Sequence, residues 1–149
     1  MKSFIFICLS ALFLATGTCM ADEPIPCGSI KSVSGEVVIQ RQEKDAITAE
    51  TGTRIYPLDR IQSGKDGSAS LILQDDTVIC IGPNSAMNME AYAFNPSIYE
   101  YSMATRLLKG TFLFLSGVIA KIAPDNMKIQ TPDGTIAVRG TRFLVEVKK

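Results

Sequence analysis

The sequence contains no histidine, no tryptophan and only four cysteines, and neither sign of charge is in excess: 15 Lys and Arg stand against 15 Asp and Glu. Without histidine there is no Ser-His-Asp or Cys-His nucleophile and no imidazole ligand for zinc or haem. Without net positive charge there is little to displace the counterions of a nucleic acid, so broad phosphate binding is excluded. No G-x-S-x-G elbow, Walker loop or Gly-rich dinucleotide fingerprint occurs. No cofactor is therefore expected, and no nucleic-acid partner. No Pro/Gly/Ser linker or charge run divides the chain.

What is present begins with an address. Lys2 is the only charge before Asp22, and residues 4–15 form a 12-residue apolar run followed by Thr16-Gly-Thr-Cys-Met-Ala21. A short basic start, an apolar centre and small residues at 19 and 21 predict a secretory signal peptide over residues 1–21. The run is short for a membrane span, which needs about 20 residues, so no stable span is expected after cleavage. A retained anchor, or a lipoprotein acylated on Cys19, are the alternatives, although Thr16-Gly-Thr fits the usual Leu-Ala-Gly-Cys pattern poorly. Cleavage leaves residues 22–149 as a single domain, large enough to bury its own core. It loses Lys2, so 15 basic residues become 14 against 15 acidic, a net charge of −1. Cys27 and Cys80 remain, bound for an oxidising compartment, which is expected to be the periplasm. A disulfide between them is expected to stabilise the fold by about 4 kcal/mol on the loop-entropy model; two free thiols are the alternative.

Beyond residue 28 apolar residues alternate, and turn residues recur every eight to ten positions. Strands are expected around Val33, Val37 and Ile39, around Ile61, over 68–74, 77–81 and through Met87 and Met89. They resume over 103–108, 111–116, 127–131, 135–138 and 142–147. Asp75-Asp76, Gly82-Pro83-Asn84 and Asp133-Gly134 read as turns. Residues 91–96 lack clear alternation, Gly110 breaks a strand, and residues 118–123 fit either a helical turn or a short strand. The pattern predicts an all-β fold, an antiparallel β-sandwich or jelly-roll, with a short β-solenoid as the alternative.

One face departs from simple alternation. If Ala69, Leu71, Ile79, Ile81, Phe112 and Phe114 point inward, then Ile72, Val78, Cys80, Leu113 and Leu115 point the other way. That face is either covered by a second sheet or by residues 92–101, or it is a partner-binding face.

Reactive constellations are sparse. Asp75-Asp76 has no further oxygen ligands at calcium-loop spacing and reads as a solvated turn. Glu36 and Asp59 are the carboxylates to weigh as an acid/base pair, and nothing sets their separation. In Arg139-Gly-Thr-Arg142, two guanidiniums flank a Gly-Thr step, either as an anion or partner contact or as a structural turn. Tyr56, Tyr92, Phe94, Tyr99 and Tyr101 are the aromatics available for a glycan platform.

Gly52, then Leu58-Asp-Arg-Ile-Gln-Ser-Gly64, the segment from Gly67 to Thr77, and Ile81-Gly-Pro-Asn-Ser85 together resemble the FecR domain, a periplasmic sensor module. Leu107-Leu-Lys-Gly-Thr-Phe-Leu-Phe-Leu-Ser-Gly117 is similar to that family's LLKG-x-F-x-F-x-SG segment. Ile129-Gln-Thr-Pro132 followed by Thr135-Ile-Ala-Val-Arg-Gly-Thr-Arg-Phe143 is similar to its TP…IRGT-x-F segment. The blocks run in order from about residue 30 to 147. The chain departs from the pattern at Asp76, where Gly is usual in a D-G-T turn, and at Asp133-Gly134, where a small-residue pair is usual. Arg142 replaces a common acidic residue, and Leu113 replaces a polar one. These departures bear on a shared binding surface more than on the fold. The resemblance implies an all-β, non-enzymatic module in a stand-alone exported version. The membrane-anchored regulators of the family have a sigma-factor-binding segment before a membrane helix and a receptor-contacting region after the domain; no counterpart of either is expected here. The expected partner is another periplasmic or envelope protein, contacted by a binding or signal-sensing module. The second expectation is a structural envelope protein or a binder of glycan or peptidoglycan.

Overall fold

A computed structural model of the chain describes residues 23–140 and 142–148. The signal segment expected over residues 1–21 lies outside the described residues. The strands are β1 (Gly28–Ser34), β2 (Val37–Arg41), β3 (Ile47–Thr48), β4 (Arg54–Ile55), β5 (Asp59–Ser63) and β6 (Ser68–Leu73). They continue as β7 (Val78–Ile81), β8 (Ala86–Asn95), β9 (Glu100–Leu115), β10 (Met127–Thr131), β11 (Gly134–Ala137) and β12 (Arg142–Val147). One helical turn, α1 (Val118–Ile122), links β9 to β10, followed by a 3₁₀ turn at Pro124–Asn126.

The strands form one curled open sheet that doubles back on itself through β9. The C-terminal half of β9 pairs with β7 and β12, and β7 leads on through β6 and β1 to β4. The N-terminal half pairs with β8 and β10; β8 leads through β5 and β2 to β3, and β10 to β11. The two layers enclose a common core that includes Ile30, Leu71, Ile79, Phe112 and Phe114 from the first and Ile39, Ile61, Met87, Met103 and Leu107 from the second. The antiparallel all-β expectation therefore holds. The solenoid alternative does not, because stacked coils pair in parallel and the parallel ladder here is β9 with β10.

Local sequence accounts for most strands. β6 alternates half-buried and buried positions throughout, with Ala69, Leu71 and Leu73 inward as expected. Two expectations require correction. Residues 91–95 are not a gap: β8 runs on to Asn95. A bulge between Met89 and Ala91 moves the core-facing positions from the odd residues Met87 and Met89 to the even residues Tyr92 and Phe94. An extra residue shifts side-chain parity, and that erases the alternation a reader looks for. Gly110, likewise, does not break the strand. It takes φ +101° inside a continuous β9, and the inward set changes there from Met103, Thr105 and Leu107 to Phe112 and Phe114. Residues 118–122 settle as the helical turn rather than a strand, anchored where the Val118 N–H donates to the Asp75 carbonyl at 2.7 Å.

Candidate partner-binding face

The registers of β6, β7, β9 and β12 stack the outward side chains into rows. One row reads Ile72, Val78, Leu115, Arg142; the next reads Ser70, Cys80, Leu113, Leu144. Ile72, Val78, Leu113 and Leu115, separated by up to 43 residues in sequence, thus lie on one surface. Neither the second layer nor residues 92–101 covers them. Tyr92, Phe94 and Tyr101 pack against the core instead. Ile72, Val78 and Leu113 are half-buried by their neighbours, while Leu115 is 38% exposed and Leu144 66% exposed. Leu144 was not among the expected face residues. Its signal was available in the alternation of Arg142, Leu144 and Glu146 against Phe143, Val145 and Val147. The Leu144 position points outward because Phe143 points inward, stacking on Phe114 with ring centroids 5.0 Å apart.

A buried carboxylate supports the end of this face. Asp75, read from sequence as solvated, is fully buried. Its Oδ1 accepts hydrogen bonds from the Tyr92 hydroxyl at 3.0 Å and the Thr77 N–H at 3.3 Å. Its Oδ2 accepts from the Thr77 hydroxyl at 2.8 Å and the Ile119 N–H at 3.1 Å. One side chain thus ties the β6–β7 turn to β8 in the opposite layer and to the start of α1. Burial is the main reason the Tyr92 phenol is held well above its usual range, with the Asp75 charge adding to it. Asp76, its neighbour, is exposed with φ +65°. That left-handed backbone explains why Gly suits this turn position, and Asp is among the few other residues that tolerate it.

The expected Cys27–Cys80 bridge is not formed; both thiols are free. The Cys27 carbonyl accepts from the Gln74 N–H, just past the end of β6, whereas Cys80 lies across from Ser70. Four residues along a strand are about 13 Å, roughly twice the Cα separation a disulfide can span. The Cys27 thiol donates to the Ile55 carbonyl at 3.3 Å. Burial pushes it up from 9.0 to about 12. An unfolded chain ionises this thiol near pH 9, while the folded chain holds the proton. The stabilisation is thus complete below about pH 9 and is lost as pH rises from there towards 12, by about 1.4 kcal/mol per pH unit. Urea unfolding at pH 8 and pH 10 is expected to show this loss, with a shallower slope in Cys27→Val. Equal slopes in the two proteins would contradict the assignment.

The remaining candidates separate in space. Asp59 is buried and engaged by Arg41, whose Nε and Nη2 each lie 2.9 Å from a carboxylate oxygen. The same guanidinium sits 4.4 Å from the centre of the Tyr56 ring. This ion pair keeps Arg41 firmly protonated. Glu36 is exposed beside Gly64, at the opposite end of β5 from Asp59. Five residues of strand, about 16 Å, exceed the spacing of a glycosidase pair. Arg142 begins β12 at the rim of the apolar face, and Arg139 lies exposed in the segment joining β11 to β12. Thr141 between them lies outside the described residues. No shared glycan platform forms from these aromatics: Tyr99 is 84% exposed at the β8–β9 tip, Tyr101 packs 5.8 Å from Phe94, and Tyr56 lies under Arg41.

No curated protein and no solved structure matches the chain. The family model described as FecR protein matches residues 59–149, from the first residue of β5 onward, and so takes in all of β6, β7, β9 and β12 that build the apolar face. With more than half of its length matched, this chain belongs to the FecR family.

Proposed function

We propose that the chain is a non-catalytic exported FecR-domain protein that contacts another envelope component through the outward face of β6, β7, β9 and β12. The FecR domain points to a periplasmic signalling or regulatory module. The observation that carries the finer reading is the pair of adjacent rows of apolar side chains, Ile72, Val78 and Leu115 beside Leu113 and Leu144, left partly open to water. Contiguous apolar surface is costly to expose and marks a contact site. Export rests on the residue pattern of positions 1–21, and no helix among the described residues is long and apolar enough to cross a membrane. The non-catalytic reading rests on the absent histidine and on carboxylates engaged in structural bonds, as at Asp59 and Asp75.

A photo-crosslinking residue placed at 113 in the cell envelope is expected to give one discrete adduct with a protein other than a second copy of this chain. Val78→Lys is expected to abolish that adduct while leaving the protein folded, since its side chain is only half-buried. Adducts of equal yield from a probe at Gln62, on the other layer, would defeat the proposal. A second reading, glycan binding, draws on the open ring of Tyr99. Retention on peptidoglycan that is lost in Tyr99→Ala would favour it over the first.

A further inference from the structure

The sheet edges differ in how they are finished. The edge strands β3 and β4 have two residues each, and β11 has four. β12 has six, in an unbroken ladder with β9 from Arg142 opposite Leu115 to Val147 opposite Gly110. Among the described residues β12 pairs with no other strand. Open edges are ordinarily blunted by proline, lysine, a bulge or an inward-pointing charge. Arg142-Phe-Leu-Val-Glu-Val147 has no proline, no bulge and no inward-pointing charge; its two charges are of opposite sign and lie on the outward side with Leu144. Residues 143–146 also border a groove of about 430 Å³ whose other wall is residues 136–140.

We propose that β12 pairs with β12 of a second copy of this chain, antiparallel about a two-fold axis through Leu144. The charge pattern selects both the partner and the register. An axis at Leu144 sets Arg142 of each copy opposite Glu146 of the other, Leu144 opposite Leu144, and Phe143 opposite Val145. Moving the axis by one residue to Val145 sets Leu144 against Glu146, and moving it to Phe143 sets Arg142 against Leu144. Only the first register matches charge with charge and apolar with apolar, and opposite charges directly across a ladder are favourable. Symmetry makes each match occur twice. Both charges are available for it. Arg142 has no carboxylate partner among the described residues, and Glu146 has only Lys148, 4.0 Å away at an exposed site. The axis stands perpendicular to the layer, so the two apolar faces join into one surface.

Sedimentation of the purified protein over a concentration series is expected to show a monomer–dimer equilibrium. Arg142→Glu and Glu146→Arg are each expected to weaken it by about tenfold or more, because each places two like-charge pairs across the ladder. The double exchange is expected to restore association to near the original value. In a Cys80→Ser background, Leu144→Cys is expected to form an interchain disulfide under mild oxidation, since residues facing across an antiparallel ladder stand about 4.5–5.5 Å apart. Glu146→Cys, about 13 Å from its own copy in this register, is expected not to. These positions are exposed, and the variants are expected to keep the parent's circular dichroism. A monomer at every concentration overturns the proposal, as does a dimer indifferent to the charge exchange, crosslinking equal at 144 and 146, or an edge that takes up a strand only from a different protein.

Discussion

Asp75→Ala is expected to cost about 4 kcal/mol, a large part of the stability of a domain of this size. The carboxylate is fully buried, and it accepts two backbone N–H groups, from Thr77 and Ile119, together with two hydroxyls. Removing it strands both amides in a dry site, and each unpaired buried donor costs about 1–3 kcal/mol. The hydroxyls of Thr77 and Tyr92 can turn towards other acceptors, but the amides are fixed by the backbone. Asp75→Asn preserves the shape, and it is nevertheless expected to lose about 2 kcal/mol. Whichever way its side chain is placed, the –NH₂ group confronts either the Thr77 or the Ile119 N–H. Tyr92→Phe removes both the hydroxyl donor to Asp75 Oδ1 and the acceptor of the Asp75 N–H at 2.9 Å, so it is also expected to cost about 2 kcal/mol, and its effect combined with Asp75→Asn to be non-additive, since the two side chains share one hydrogen bond. Urea unfolding of the three variants and the double mutant measures each term. A loss below about 1 kcal/mol in Asp75→Ala would show that the network does not join the layers.

Gly110→Val is expected to prevent folding or to lower stability by at least about 4 kcal/mol. Gly110 sits at φ +101°, a conformation that β-branched residues essentially never adopt. Any Cβ at this position would also overlap the side chain and backbone of Ser85. Ser85 cannot easily yield. Its hydroxyl accepts from the Thr111 N–H at 3.0 Å, and its amide donates to the Ser63 hydroxyl at 2.9 Å. The bend therefore ties β9 and β5 to the turn between β7 and β8 at the crossing between layers. A Gly110→Ala variant isolates the contribution of the branched side chain. It adds the overlap and moderate backbone strain without the branched side chain, and it is expected to retain more structure than Gly110→Val. Near-native circular dichroism and unfolding midpoint in Gly110→Val would refute this account of the bend.

The way these two sites read in the sequence differs instructively. Gly110 was visible as a glycine between two apolar runs, but the sequence suggested a break where the chain makes a corner. Two strands separated by glycine and one strand bent at glycine have the same residue pattern. The choice depends on whether the segments on either side find a common partner, and here β7 and β8 both pair with β9. Asp75 was visible as half of an Asp-Asp turn. Its burial depends on α1 and Tyr92 closing over it, from 44 and 17 residues away. Nothing local in the sequence separates it from Asp76, which is exposed. Cys27 and Cys80 fail to bridge for a related reason: the register of β6 places their neighbours four residues apart.

The sequence by itself determined most of the strands and, away from the bulge in β8 and the bend at Gly110, their inward faces. It placed Ala69, Leu71 and Leu73, Ile79 and Ile81, and Phe112 and Phe114 on the core side, because a two-residue period follows directly from strand geometry. It also carried the family blocks that the match over residues 59–149 confirms. Only the tertiary structure decided which strands are neighbours, and hence that Ile72, Val78, Leu113 and Leu115 make one open surface continued by Leu144. Alternation says which way a side chain points from its own strand. It does not say what lies opposite, because pairing partners and parity-shifting bulges are chosen by packing across the whole chain.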